Sequence, residues 1–204
     1  MMKFEKLKWL AFAVALVGIV SCEKDDDKEC PCNNYDTKEI VAESYTDWVY
    51  FSFASGDMVT IADPSTSLEW DLAFLRNHIR TNSGSSGPGQ GGALVSDASS
   101  LEALLIAPAS GYTVDDTIQI SDPNDPTRQT MINTAGNTVL EGWGTFNVEI
   151  HPPQFFPSDE IYVIKTADGK YVKVGFSSYY SAEAQSAHIT IQYLYQSDGT
   201  TDLE

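Results

Sequence analysis

Beyond Tyr35, apolar and polar residues alternate with period two in several short runs, which predicts strands rather than helices. Trp48–Phe53, WVYFSF, is aromatic and β-branched and leads through Ser55-Gly56-Asp57 into MVTI. Glu69–Arg80, EWDLAFLRNHIR, puts Trp70, Leu72 and Phe74 on one side. Glu160–Phe176, EIYVIKTADGKYVKVGF, alternates on both arms of a hairpin, and Asp168-Gly169 suits the positive φ angles of a type I′ turn. Ala187–Tyr195, AHITIQYLY, sets Ile189, Ile191, Tyr193 and Tyr195 on one face and His188, Thr190 and Gln192 on a solvated one. Helical patterning is scarce: Ser99–Ala107, with a Ser cap, and Ser178–Ser186 predict two short helices. Strands without alternating long helices predict a mostly β fold, a single domain of many short antiparallel strands with few short helices, over residues 35–204.

The first 34 residues follow another pattern. Lys3, Lys6 and Lys8 precede an apolar run, Trp9–Val20, that ends at Ser21-Cys22. About a dozen apolar residues are short for ~30 Å of hydrocarbon and match the apolar region of a secretory signal. Ile19-Val20-Ser21-Cys22 resembles a bacterial lipobox. That resemblance implies that residues 1–21 are a lipoprotein signal peptide and that Cys22 is lipidated and becomes the mature N-terminus. Each buried CH2 of the acyl chains contributes ~0.8 kcal/mol, so several chains hold the protein on a membrane without spanning it. Residues 22–34 then form an acidic tether: Glu23-Lys24-Asp25-Asp26-Asp27-Lys28-Glu29 contains no apolar residue. The run is similar to tags that send some Gram-negative lipoproteins to the outer face of the outer membrane. Cys30-Pro31-Cys32 is tight for a disulfide and has no second pair for a zinc site.

Charge narrows the partners. The chain carries a formal −17, to which the leader's three Lys and Glu5 contribute +2, so the rest stands at −19. Such a field repels nucleic acid and anionic headgroups. Nucleic acid is excluded on that ground, and the membrane is reached by the lipid anchor only. No Ser-His-Asp order, H-E-x-x-H or nucleophile elbow occurs, which argues against an enzyme.

Thr81–Ala93, TNSGSSGPGQGGA, holds five glycines, and Gly87, Gly89 and Gly92 formally satisfy G-x-G-x-x-G. A dinucleotide site needs a helix opening directly on the loop and an acidic residue about 20 positions later. The candidate helix begins only at Ser99, and no βαβ pattern surrounds it. The glycines are therefore read as sharp turning and close approach to a neighbouring strand.

The stretch EWDLAFLRNHIRTNSGSSGPGQGGA resembles the signature of the HmuY family, haem-binding lipoproteins of Gram-negative bacteria. WVYFSFASGDMV is similar to that family's first core strand, and APASGYTVDD to its Gly-Tyr-Thr-Val segment. Gly142-Trp143, the ADGKYVKVGFSSYY hairpin and the closing HITIQYLY agree in order, over most of Tyr35–Tyr195. The resemblance implies an all-β fold whose hairpins grip haem between side chains on separate loops, histidines in some members and methionines in others. It further implies a haemophore-like role: haem taken from host haemoproteins and passed to an outer-membrane haem receptor.

Haem needs a narrow apolar slot, axial donors and polar groups near its propionates. The donors outside the signal are His78, His151, His188, Met58 and Met131. Met131, in DPTRQTMINTAG, falls where the family's first ligand lies, and its thioether is a soft ligand. His151, in NVEIHPPQFFPSDE, corresponds to the second if a short deletion follows; an ungapped match puts Val148 there. Phe155 and Phe156 are placed to wall the slot. Arg128, three residues before Met131, is the propionate candidate, whereas Arg76 and Arg80 are expected to form internal salt bridges. His78 reads as a hydrogen-bonding scaffold residue, His188 as solvated and Met58 as core or edge packing. The alternative is a surface lipoprotein that binds glycan or another ligand on the same scaffold, its haem ligands lost, because ten Tyr, nine Phe and four Trp also suit sugar stacking.

Overall fold

The structure, a computed structural model, describes residues 35–204. The signal peptide, Cys22, the tether and the Cys30/Cys32 pair lie outside the described residues. In chain order the strands are β1 (Asp36–Val41), β2 (Val49–Ser52), β3 (Asp57–Val59), β4 (Leu72–Leu75), β5 (His78–Thr81), β6 (Gly92–Val95) and β7 (Asp116–Ser121). There follow β8 (Met131–Gly136), β9 (Gly144–Asn147), β10 (Gln154–Pro157), β11 (Ile161–Lys165), β12 (Tyr171–Tyr180) and β13 (Ser186–Gln196). A 3-10 turn, Leu140–Gly142, is the single helical element among the described residues. The fold is thus mostly antiparallel β.

Four sheets build it. One has the order β1-β13-β12-β11-β6, a second β3-β2-β4-β5, and β7-β8 and β9-β10 are two-stranded hairpins. The alternation in AHITIQYLY holds for its core face, where Ile189, Ile191 and Tyr193 are buried in one cluster with Phe51, Leu72 and Phe74 of the four-stranded sheet, but His188 on the other face is buried too. The opposite face of the large sheet is covered as well, by Leu101, Leu104 and Leu203 packed on Ile161 and Val163. Lys173 is fully buried on that side, where its Nζ donates to the carbonyls of Leu101 (2.9 Å) and Leu104 (3.0 Å).

Local details depart from the sequence reading. Ser99–Ala107 makes one turn rather than a helix: Ser100 Oγ accepts from Ala103 N–H and Leu101 O from Leu104 N–H, after which the chain leaves to bridge Ile106 with Asp202. Ser178–Ser186 is no helix either, because β12 continues to Tyr180 and β13 resumes at Ser186. Pairing with a neighbouring strand satisfies these backbone groups better than an isolated two-turn helix would. EWDLAFLRNHIR is not one strand but the hairpin β4–β5, turned at Arg76 (φ 57°) and Asn77. All of β4 is buried, so its two faces cannot be told apart by exposure. In the β11–β12 turn only Gly169 takes a positive φ (88°), and its N–H donates to Thr166 O. This is a type I turn closed by a left-handed glycine rather than type I′.

The glycine loop does what close packing requires. Gly84 has φ 51°, and a Cβ there would be driven into Asp115 O. A Cβ at Gly89 would meet Asn82 O at 2.6 Å and Ala167 Cα at 2.9 Å. Buried Asn82 organises the loop, donating to Ser67 O and Trp70 O and accepting from Gly89 N–H. Two buried carboxylates tie distant segments. Asp71 accepts from Phe53 N–H (2.8 Å) and Ala167 N–H (2.9 Å). Asp115 accepts from Thr81 N–H and from Asn137 Nδ2 (2.9 Å). Burial raises both carboxyls above their ordinary pKa, although these donors pull them down.

Candidate functional site

A cavity of about 470 Å³ opens where residues of all four sheets meet. Tyr45 comes from the β1–β2 loop, and Leu75 to His78 from the β4–β5 turn. The β7–β8 hairpin supplies Ile120, Ser121 and Arg128; the β9–β10 hairpin supplies Phe146, Pro152 and Pro153. Tyr179, Tyr180 and Ser186 close it from β12 and β13.

One wall is aromatic. Phe146 pairs across the hairpin with Phe155, their ring centroids 5.0 Å apart, and packs on Tyr179 at 6.0 Å. Behind them Trp143 is fully buried, its ring 4.5 Å from Phe155, and its indole N–H donates to Asn77 O at 2.7 Å. The Gly142-Trp143 pair therefore fixes the β4–β5 turn to the β9–β10 hairpin. Tyr180 Oη accepts Phe155 N–H at 2.8 Å. Burial holds the Tyr179 phenol above its ordinary pKa, against the pull of Arg76.

The other wall is cationic. Arg76 Nη1 donates to Glu43 O (3.2 Å) and Nη2 to Ser186 Oγ (2.8 Å), and its guanidinium lies 4.5 Å from the centre of the Tyr45 ring. Arg128, with φ 56°, stacks on the same ring at 3.6 Å. The loop that presents Arg128 is pinned by Asp125, whose carboxylate accepts from the N–H groups of Thr127, Gln129 and Thr130 and from Thr127 Oγ1. Those bonds hold the Asp125 carboxyl far below its ordinary pKa. Neither guanidinium has a carboxylate partner among the described residues. Two guanidiniums without a carboxylate partner sharing one aromatic ring, in a chain of formal charge −17, can receive an anion with a flat apolar body.

The structure brings only part of the expected ligand set here. Arg128 lines the cavity, but Met131 and His151 do not. Met131 begins β8, half exposed, with its sulfur 3.9 Å from Ser121 Oγ. Its cross-strand neighbour Ser121 does reach the cavity. His151 is exposed in the β9–β10 connection, next to Pro152, which also lines it. Phe155 and Phe156 do not line this cavity: Phe155 is buried in the core and Phe156 is exposed, so Phe146 is the aromatic of the β9–β10 hairpin that faces it. The salt bridges expected of Arg76 and Arg80 are absent among the described residues. Arg80 instead donates to Ala135 O and Thr134 Oγ1 and stacks on Trp48 at 3.7 Å.

His78 lines the cavity and is hydrogen-bonded to Glu141. His188 is not solvated, being 9% exposed between Glu39 (2.7 Å) and Glu43 (3.2 Å); its hydrogen bond to Glu39 leads in raising its pKa. Met58 packs at the edge, on β3. Tyr45 and Phe146 escaped the sequence reading because no period or motif marks them, and Arg76 was read there as an internal salt-bridge residue rather than a cavity residue.

The HmuY protein family model matches residues 44–193, and the chain belongs to that family. Solved structures share the architecture. An apo HmuY analogue from Tannerella forsythia superposes with a TM-score of 0.64 at 21% identity, over 79% of this chain and 95% of that one. A candidate HmuY-like haem-binding protein from Bacteroides vulgatus gives 0.62 at 25% identity, over 81% and 93%. A candidate lipoprotein from Bacteroides fragilis gives 0.63 at 22%, over 81% and 91%. No match was found among curated proteins.

Proposed function

We propose that this protein is a surface-anchored haem-binding lipoprotein that acts in haem and iron acquisition, and not an enzyme. The observation that carries the reading is the cavity itself, with its aromatic wall of Phe146 and Tyr179 facing the unpaired guanidiniums of Arg76 and Arg128. A porphyrin is a flat apolar ring with two carboxylates at one edge, and this wall and these cations complement both parts. Family membership and the haem-binding description of the Bacteroides vulgatus relative support it.

In this reading Arg128 meets a propionate. Met131 and His151, on the two hairpin ends that flank the cavity, reach the iron. Cys22 carries the lipid, residues 1–21 are the signal peptide, and residues 22–34 tether the domain of residues 35–204 to the outer face of the outer membrane. Haem comes from host haemoproteins and leaves to an outer-membrane haem receptor. The glycan alternative is less supported: Trp70 and Trp143 are fully buried and Trp48 lies under Arg80, so no indole among the described residues is free as a sugar platform.

The test is a hemin titration followed at the Soret band. The reading expects a shifted, saturable band, weakened in Arg128→Ala and changed in wavelength in Met131→Ala and His151→Ala. Thioether ligation also expects tighter binding after dithionite than in air. A spectrum that stays that of free hemin in both redox states refutes the reading; equal affinity in both states removes the thioether.

A further inference from the structure

The cavity wall holds an imidazole that the Met131/His151 assignment leaves unused. His78 opens β5 directly after the Arg76-Asn77 turn and lines the cavity. Its side chain is 18% exposed, and its Nδ1 lies 2.9 Å from Glu141 Oε2. Glu141 sits in the 3-10 turn beside Gly142-Trp143, and its second oxygen, Oε1, is buried without a partner among the described residues. That carboxylate is turned inward to hold His78 rather than outward to solvent. A carboxylate only accepts, so the shared proton resides on Nδ1. The lone pair of Nε2 is then the free donor of the ring, and Nε2 has no partner among the described residues. A carboxylate on the remote nitrogen is the arrangement that fixes the tautomer of a metal-binding imidazole, orients the ring and strengthens it as a donor.

Met131 and His151, in contrast, lie off the cavity wall. Resting on the haem reading above, we infer that His78 Nε2, oriented by Glu141, takes one of the two axial positions on the iron in place of either Met131 or His151, the other of which completes the coordination. The sequence hid this role because His78 stands in a strand among polar neighbours, and Glu141 is 63 positions away. A carboxylate-paired imidazole donates strongly to Fe(III), so Glu141 lowers the iron's reduction potential.

The experiment titrates the wild-type protein, His78→Ala and Glu141→Gln with hemin and, separately, with iron-free protoporphyrin IX. The inference expects His78→Ala to bind hemin at least about tenfold more weakly, with a displaced Soret band, while iron-free porphyrin binds as before. Added imidazole should return the Soret band to its wild-type position. Glu141→Gln, which keeps a hydrogen-bond acceptor but loses the charge, should bind hemin and show a raised Fe(III)/Fe(II) midpoint potential. If His78→Ala leaves hemin spectrum and affinity unchanged, the inference falls and the haem reading stands. Equal loss of hemin and iron-free porphyrin, without imidazole rescue, makes His78 a scaffold residue and also overturns it. If His78→Ala does not fold, an unchanged potential in Glu141→Gln overturns it. A wild-type protein that binds neither porphyrin sinks both readings.

Discussion

Replacing Asp71 with alanine removes a single carboxylate that joins two sheets. One oxygen accepts Phe53 N–H, just past β2, and the other accepts Ala167 N–H in the β11–β12 turn. Both donor residues are 3% exposed, so water cannot take over without opening the packing. A buried N–H left unpaired costs about 1–3 kcal/mol, hence about 2–6 kcal/mol for the pair. Part of this returns, because burial is the leading cause that raises the Asp71 pKa, with the charge of Asp168 adding to it, and alanine is free of both penalties. A net loss of about 2–4 kcal/mol is expected, a large share of the roughly 5–15 kcal/mol that holds a domain together. Asp71→Asn keeps one acceptor and should fall between alanine and wild type. Equilibrium urea unfolding followed by Trp fluorescence measures it, with an unchanged m-value showing that the denatured state is not the source. A loss below about 1 kcal/mol, or asparagine as damaging as alanine, refutes the reasoning.

Other substitutions test other parts of the structure. Gly84→Ala combines a left-handed φ with a Cβ driven into Asp115 O and should cost about 3 kcal/mol or more, whereas Gly142→Ala meets nothing within 4 Å and should stay within about 0.5 kcal/mol; comparable thermal melts would contradict this. His188 holds its proton more tightly folded than unfolded, chiefly through Glu39, so its contribution is fully present below its unfolded pKa of about 6.5 and is lost as pH rises through the folded value. The stability gap between wild type and His188→Gln should therefore be wider at about pH 6 than at about pH 9, and a flat or inverted dependence in urea titrations contradicts the pairing. Asp125→Ala frees the loop that carries Arg128, so hemin affinity should fall as it does in Arg128→Ala while the Soret wavelength is kept; unchanged affinity denies the loop its positioning role.

Strands were legible where apolar residues recur at every second position on the core face, as in Ile189, Ile191 and Tyr193. The β4–β5 hairpin was not, because both faces of Leu72–Leu75 are buried and the turn is made by Arg76, a residue with no turn signature, in a left-handed conformation. The helix expected at Ser99–Ala107 has the right cap and apolar spacing, but the chain turns away after Leu104 to bridge with Asp202. At the candidate site, Arg128, singled out in the sequence for lying three residues before Met131, does line the cavity. Tyr45 was not singled out, since its value lies in receiving two guanidiniums from segments far away in sequence. Burial of His188 was missed for a related reason: β1, which brings Glu39 and Glu43 to it, pairs with β13 across the whole chain.

The most direct test of the central claim is the position of the iron. Crystals of the protein grown with hemin, measured at the iron absorption edge, should show one anomalous peak inside the cavity bounded by Phe146, Tyr179 and Arg128, with the propionates toward Arg76 and Arg128. An iron peak at any other surface, or hemin-treated crystals with no iron, would contradict the account.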